Sequence, residues 1–153
     1  MSELTHVDER GAARMVDVSE KDITDRTARA AGTILMQAET LQAIRDNALR
    51  KGDVLAVART AGIMAAKRTA ELVPLCHPLP ITAVEIAFEL RSEPPALNVE
   101  AVVRTVARTG VEMEALVAAG IALITVYDMA KSIDRSMTVT ELRVVEKKGG
   151  RNG

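Results

Sequence analysis

The sequence predicts a single α+β domain in which helices cover one face of an antiparallel sheet. The chain has 153 residues, enough for one domain with a real core but few for two. Stretches with a period of two, typical of strands, alternate with long apolar stretches of helical spacing. Their order is strand, two helices, two strands, helix and strand, which is the split βαβ order of ferredoxin-like domains.

The first half of the chain supplies one strand and the helix pair. Alternation over Thr27–Met36 predicts a strand, and Gly32 within it indicates a close approach by another element. Helical spacing predicts helices over Ala38–Arg50 and Val54–Leu72. The intervening Lys51-Gly52-Asp53 is typical of a helix end, a left-handed residue and a new N-cap.

The second half supplies the remaining elements. Alternation predicts strands over Thr82–Leu90 and Leu97–Val103, joined by a turn at Ser92–Pro95. A long apolar helix follows from Val111. A last strand over Met137–Val144 shifts its apolar register, which predicts a bulge.

The two ends of the domain, which spans residues 1–153, are less regular. Residues 1–21 are polar and predict a mobile N-terminal arm, and the Gly-rich residues 147–153 predict a flexible tail.

Composition narrows the function classes. The net charge is −1, and Phe88 and Tyr127 are the two aromatic residues, so nucleic-acid binding and attraction to a membrane surface are disfavoured. The longest apolar run is shorter than the roughly 20 residues of a membrane span. One cysteine and a polar N-terminus favour a cytoplasmic protein. Cys76, His77 and His6 lack metal-ligand spacing, so we expect no metal site.

Two polar segments flank the apolar stretch Ala115–Val126. Thr109–Glu114 precedes it, and Tyr127–Asp134 follows it. Charged groups on so apolar a helix usually have a partner or a task, so the pattern favours a protein that does chemistry.

The acidic residues at the helix start have two interpretations. Thr109 and Glu112 have the spacing of a capping box, and Glu114 is favoured there by the helix dipole. Alternatively, Glu112 and Glu114 orient the hydrogen-bond donors of a ligand.

The charged residues at the end of this helix also have two interpretations. Asp128 and Lys131 lie three residues apart and predict a surface ion pair worth about 0.3 kcal/mol. Lys51 is explained as a cation at a helix C-terminus. The alternative is that a partly buried Asp128 and Lys131 shift toward neutral pH and exchange protons.

The segment Lys67–Leu79 is stiffened by prolines. Pro74 and Pro78 favour extended backbone, which presents His77 on a rigid loop and leaves Cys76 as a core residue. The chain has no P-loop or dinucleotide-binding glycine motif, so phosphates would need converging cations. The candidates are Lys51, Lys67, Arg68 and Lys131.

Three long motifs point to a known family. They are KRTAELVPLCHPL at Lys67–Leu79, TGVEMEAL at Thr109–Leu116 and YDMAKSID at Tyr127–Asp134. With THVDERGAARMVDV near the N-terminus and KGDVLAVARTAGI from Lys51, the sequence resembles the cyclic pyranopterin monophosphate synthase family (MoaC) of molybdenum cofactor biosynthesis. The resemblance extends over nearly the whole chain.

The resemblance implies a lyase that converts 3′,8-cyclo-7,8-dihydroguanosine 5′-triphosphate into cyclic pyranopterin monophosphate and pyrophosphate, without a cofactor. It implies that Asp128 is the catalytic acid/base, with Lys131 and Lys51 beside it. The residues that would contact substrate are Leu75, Cys76, His77, Met113 and Glu114, with Glu112 assisting. Our own candidates for neutralising the phosphates are Lys67, Arg68 and the tail residue Lys147.

The resemblance also implies a homohexamer, a trimer of dimers, with sites at subunit interfaces, and a functional link to a radical S-adenosylmethionine GTP cyclase. Independently, the nearly all-apolar helices predict an oligomer. The rival hypothesis is a non-catalytic metabolite sensor that uses the same pocket, and it would tolerate Asp128→Asn. A structural assembly subunit is disfavoured because it has no need of charges at the end of an apolar helix.

Overall fold

The computed structural model describes residues 4–150 and confirms the α+β prediction. Four strands form one antiparallel sheet in the order β2-β3-β1-β4, and the helices lie on one face of it. The elements are β1 (Thr24–Leu35), α1 (Ala38–Arg45), α2 (Val54–Lys67), α3 (Thr69–Leu72), β2 (Ile81–Ser92), β3 (Pro95–Ala107), α4 (Glu112–Ala130) and β4 (Thr138–Lys148).

Helix α4 is the centre of the core. Its buried face of mainly small residues packs on β1, β3 and β4 on one side and on α2 on the other. A Cβ atom at Gly62 of α2 would lie 2.9 Å from the Ala118 carbonyl oxygen, so glycine permits the close helix contact. The two helices run antiparallel, which puts the start of α2 beside the end of α4.

Helix α4 has the length and composition of a possible membrane span, whereas we expected no stretch to reach that length. Its packing explains the apolar sequence differently. Side chains such as Ala119, Leu123 and Val126 are fully buried between the sheet and α2. Burial therefore explains the apolar residues on these two sides of the helix, whereas Ile124 on the remaining side is 57% exposed.

Two local predictions about the sheet are confirmed. The pairing of β1 with β4 shifts register at two places, which are the predicted bulge and a second one. Glu141, which has a φ of 56°, lies in the predicted bulge, where the partner of β1 shifts from Arg143 to Thr140. A Cβ atom at Gly32 would lie 2.8 Å from Leu123 Cδ1, which is the close approach predicted there.

Two helix ends differ from the prediction. The first helix ends at Arg45 rather than Arg50, because Asn47 adopts a left-handed φ of 53°. The second ends at Lys67 rather than Leu72. There the Thr69 hydroxyl donates to the carbonyls of Ala65 and Ala66, and the chain turns before the short α3.

The turn between α1 and α2 is as predicted. Gly52 has a φ of 106°, and the Asp53 carboxylate caps α2 by accepting from the Ala56 amide at 3.0 Å.

The N-terminal arm and the tail are described in part. In the arm, Val7 pairs with Ala13, and the Val16 carbonyl hydrogen-bonds with the imidazole Nε2 of His77. Lys147, expected to open the tail, belongs to β4 instead. Residues 1–3 and 151–153 lie outside the described residues, and the mobility of arm and tail stays a prediction.

Candidate functional site

The predicted site residues lie in two groups at opposite ends of α4. Glu114 lies in the first turn of the helix, and Asp128 lies in the last. They are fourteen residues apart, which is about 21 Å at the rise of an α-helix. Because α2 is antiparallel to α4, Lys67 lies near the Glu114 end, whereas Lys51 lies near the Asp128 end.

The first group is an ion triad of two lysines and one carboxylate. Lys51 Nζ lies 3.0 Å from Asp128 Oδ2, and Lys131 Nζ lies 3.0 Å from Asp128 Oδ1. Lys51 also donates to the Asp128 backbone carbonyl at 3.0 Å. This carbonyl is in the last turn of α4, where the helix leaves carbonyls unpaired and favours a cation.

The electrostatics of the triad differ from the expectation of a partly buried pair. The three side chains are about half exposed, with relative accessibilities of 46% for Lys51, 55% for Asp128 and 43% for Lys131. Hydrogen bonds from Lys51 and then Lys131 hold the pKa of Asp128 below its usual value. In this chain Asp128 is therefore a carboxylate at neutral pH, and no shift toward neutrality is seen for it.

The second group surrounds a cavity of about 650 Å³ at the start of α4. The loop after α3 contributes Leu75, Cys76 and His77, and α4 contributes Glu112 and Met113. The walls are mostly apolar and carry a few polar groups, as is common for small-molecule sites. The folded chain thus brings together five of the six residues for which the resemblance implies substrate contact.

The sixth, Glu114, lies behind that cavity with a buried carboxyl group. The residue is only 2% exposed and lines a smaller cavity of about 160 Å³ together with Lys67, Arg68 and His77. Burial raises the pKa of Glu114. Its Oε1 atom has no hydrogen-bond partner among residues 4–150, so one carboxyl oxygen is free to accept from a ligand.

Cys76 is a partner of Glu114 rather than the core residue we expected. It is half-buried, and its Sγ lies 3.6 Å from Glu114 Oε2. Burial and the neighbouring carboxyl group raise the pKa of the Cys76 thiol to about 11. The thiol is protonated at neutral pH and donates to the carboxyl group.

The predicted capping box is absent. Helix α4 begins at Glu112 itself, after Val111, with no side-chain cap, so Thr109 and Glu112 do not have the required positions. Instead, Glu112 Oε1 lies 3.3 Å from Lys147 Nζ at the end of β4. This distance allows an ion pair, but the geometry is not that of a hydrogen bond. The buried Oε1 atom of Glu112 therefore has no hydrogen-bond partner among residues 4–150.

Sequence reasoning missed two groups of residues. Asp134 is almost fully buried and tethers the segment after α4 to the start of α1. Thr24 and Arg26 line a further cavity beside Glu112. A signal for Arg26 was present, because it shares the inward register of β1 with Ala28 and Ala30. Among residues 4–150, no three His, Cys, Asp or Glu side chains are grouped to hold a metal ion.

Comparison with known proteins identifies the family. A sequence profile described as the MoaC family matches residues 15–150. The chain belongs to the MoaC family. A cyclic pyranopterin monophosphate synthase of Thermomicrobium roseum is 60% identical over 153 residues, covering the whole chain and 92% of the relative. One from Thermoanaerobacter sp. is 54% identical over 150 residues, covering 98% of the chain and 95% of the relative.

A cyclic pyranopterin monophosphate synthase 3 of Mycobacterium tuberculosis is 59% identical over 150 residues, covering 98% of the chain and 84% of the relative. The MoaC match includes both groups of site residues, from Lys51 to Lys147. The similarity is therefore not confined to one end of α4.

Proposed function

We propose that this MoaC-family chain is a cyclic pyranopterin monophosphate synthase, an enzyme of molybdenum cofactor biosynthesis. It would convert 3′,8-cyclo-7,8-dihydroguanosine 5′-triphosphate into cyclic pyranopterin monophosphate and pyrophosphate. The observation that carries the proposal is 54–60% identity, over 98% or more of the chain, to relatives of that name. The substrate would come from a radical S-adenosylmethionine GTP cyclase in the cytoplasm.

The ion triad supports the proton transfers that this rearrangement requires. Ring opening and reclosure need groups that donate and accept protons at the reacting atoms. In the triad, the two lysine side chains are donors, and the carboxylate of Asp128, whose pKa is lowered, is the acceptor. Asp128 also holds the two ammonium groups close together, each 3.0 Å from one of its carboxylate oxygens, so that both could act on the same substrate molecule.

The second group supports recognition of the guanine-derived ring. Leu75 and Met113 supply apolar walls, and the buried Glu114 has one oxygen free to accept from ring N–H groups. An unpartnered buried carboxyl oxygen is costly, and a ligand donor would remove that cost.

A complete site would require two copies of the chain. The substrate's ring and sugar are joined by the 3′,8 bond, so its reacting atoms lie far closer together than the 21 Å between Glu114 and Asp128. The triad of one protomer would therefore meet the cavity of another. A homohexamer built as a trimer of dimers would provide such contacts, and exposed Val57, Met64 and Ile124 on α2 and α4 are apolar surface that subunits could cover.

The activity is tested by anaerobic incubation with the cyclic dihydro-GTP substrate, following pyrophosphate and pterin product together. The wild-type protein should form both, and Asp128→Asn should lose at least a hundredfold in rate, since general acid–base groups contribute roughly 10²–10⁴-fold. Tight substrate binding without turnover in either protein would reject the synthase and favour the metabolite sensor.

The two-copy site is tested by co-expressing Asp128→Asn with Glu114→Ala, which removes the carboxyl acceptor, after each variant alone is found to be inactive. In a mixed dimer, one site receives both defects and the other none, so random pairing should restore about a quarter of wild-type activity. The matched control is Asp128→Asn with Lys131→Met. Both changes affect the same group, so no site is intact and no activity should return. Absence of complementation in the first pair would place both groups of one site in the same chain.

A further inference from the structure

The turn that follows α4 carries one of the two lysines of the ion triad. Lys131 is the C-cap residue of α4, and the chain reaches Asp134 within the same turn. Within residues 131–136, Asp134 is the one buried residue, with an exposure of 3%, whereas Ile133 is 50% exposed. Helix ends fray unless they are held, so the place of Lys131 depends on how Asp134 is anchored.

Asp134 is anchored to the start of α1. Its Oδ2 atom accepts from the Gln37 amide at 2.9 Å and from the Thr40 hydroxyl at 2.8 Å. Gln37 is the N-cap residue of α1, and its own side chain makes no capping hydrogen bond. The Asp134 carboxylate therefore caps α1 from a segment 97 residues further along the chain. A carboxylate there satisfies a free amide and is favoured by the helix dipole.

Helix α1 leads to the other lysine of the triad through tight turns. The Ala48 amide donates to the Ala43 carbonyl at 2.9 Å, and the Gly52 amide donates to the Leu49 carbonyl at 3.1 Å. Lys51 lies inside the second of these turns. Leu49 is buried in the core, so the turn cannot move freely away from the domain. The backbone of Lys51 is thus connected to α1 by a short hydrogen-bonded path.

A carboxylate at position 134 gives the turn a direction as well as an anchor. Its Oδ1 atom accepts from the amide and the hydroxyl of Ser136, so four donors surround the two oxygens. A buried charge is costly unless it is fully hydrogen-bonded, and an apolar side chain of similar size would bury at lower cost. Four donors on two segments fix the orientation of the carboxylate, which an apolar contact would not do. The charged residue is explained if the turn must keep one orientation.

From these contacts we infer that Asp134 is a positioning residue for the ion triad. It fastens the turn that carries Lys131 to the helix that leads to Lys51, and so holds both ammonium groups at the spacing that Asp128 bridges. The inference rests on the proposed function for what the triad does. It deepens that function because Asp134 lies outside the triad, yet a displacement of about 1 Å in a reacting group can cost roughly a hundredfold in rate.

The kinetic test uses Thr40→Val, which removes one donor to Asp134 and keeps the shape of the side chain. Its kcat should fall about tenfold, as a displacement well below 1 Å would cause, while KM changes less than about twofold. The same change made in Asp128→Asn should lower kcat by less than about twofold, because the triad is already broken there. A general loss of stability would lower both backgrounds by the same factor.

The matched control is Val103→Ala, which leaves a cavity in the core at the other end of the domain. Val103 is fully buried and pairs with Ala28 near the start of β1, whereas Asp134 contacts Gln37 just after the end of β1. The control loses stability through packing alone, so its kcat should stay within about twofold of the wild-type value. A tenfold loss in the control would show that any weakening of the fold has the same effect.

A second readout needs no turnover. The carboxyl-carbon resonance of Asp128 is followed by NMR in the full chain as the pH is lowered. In Thr40→Val the pKa of Asp128 should rise toward the ordinary value of about 3.9, because the lysines that lower it are held less firmly. In Val103→Ala it should stay as in the wild type. Asp134→Asn, which keeps the shape but replaces one acceptor oxygen by a donor, should raise the pKa of Asp128 further than Thr40→Val does.

Three outcomes would overturn the inference: equal loss of kcat from Thr40→Val in the wild-type and Asp128→Asn backgrounds, an unchanged pKa of Asp128 in both Thr40→Val and Asp134→Asn, or the same pKa change in Val103→Ala. Failure of the proposed function is recognised separately, as absence of turnover in the wild type. In that case the NMR titration alone decides whether Asp134 positions the triad.

Discussion

Replacing Asp134 by alanine should destabilise the chain by about 3 kcal/mol. Its Oδ2 accepts from the Gln37 amide at 2.9 Å and the Thr40 hydroxyl at 2.8 Å, and its Oδ1 accepts from the amide and hydroxyl of Ser136 at 2.9 and 2.6 Å. Thr40 is 1% exposed, so its hydroxyl would lose its partner with no access to water, at a cost of about 2 kcal/mol. Gln37 and Ser136 can recruit water, so they add together about 1 kcal/mol.

The assay is urea unfolding at one protomer concentration, because any assembly would make the midpoint concentration-dependent. In thermal unfolding of a chain of this length, the same loss of 3 kcal/mol corresponds to a fall of roughly 6–12 °C in Tm. The control Ser136→Ala removes one hydrogen bond that water can replace and should cost less than about 1 kcal/mol. A loss below 1 kcal/mol in Asp134→Ala would refute the assignment of Asp134 as a tether between the two segments.

Asp134 also predicts a pH dependence. Burial raises its pKa, but the hydrogen bonds from Gln37, Ser136 and Thr40 outweigh burial and hold it below its usual value. The stabilisation is therefore present above the unfolded pKa of about 3.9 and is lost as pH falls through the lower folded pKa. In Asp134→Asn this acid-induced loss should be smaller.

Three further predictions concern the core and the cavity end of α4. Glu114→Gln should raise Tm more at pH 8 than at pH 4, because burial raises the pKa of Glu114 and disfavours its charged form. An equal gain in Tm at both pH values would contradict this. The same variant should bind substrate more weakly. Gly62→Ala should cost about 1–3 kcal/mol in urea unfolding, since the new Cβ would lie 2.9 Å from the backbone carbonyl oxygen of Ala118. Gly120→Ala, whose Cβ would meet only Leu142 Cδ2 at 3.2 Å, is its control, and equal effects would exclude helix packing as the cause. Cys76, with a pKa of about 11, should react with iodoacetamide at pH 8 roughly two hundredfold more slowly than a free thiol, and a rate midpoint near pH 8.5 would disprove the raised pKa.

Sequence reasoning predicted the order of the long elements and the starts of α1 and α2, and it placed the other bounds that it gave within five residues. These features depend on near neighbours in the chain. Alternation in β1, the glycine after Lys51 and the helical spacing in α4 each express local backbone geometry. The same locality explains the family resemblance, because long ordered motifs are visible without any structure.

The errors occurred where side chains from distant or competing groups decide the outcome. The second helix ends early because the Thr69 hydroxyl takes helix carbonyls. Glu112 does not form the expected capping box but pairs with Lys147 on β4. Cys76 was expected in the core but lies against Glu114. None of these contacts has a signature in residue spacing.

The sequence by itself determined the fold class, the family and the residues that carry charge at the two ends of one apolar helix. Only the tertiary structure decided that these ends are about 21 Å apart, that Asp128 is exposed with a lowered pKa, and that Arg26 opens into a cavity. The physical reason is that periodicity records which face of an element is apolar. Distances between elements, access of water and the pairing of charges depend on how those faces pack.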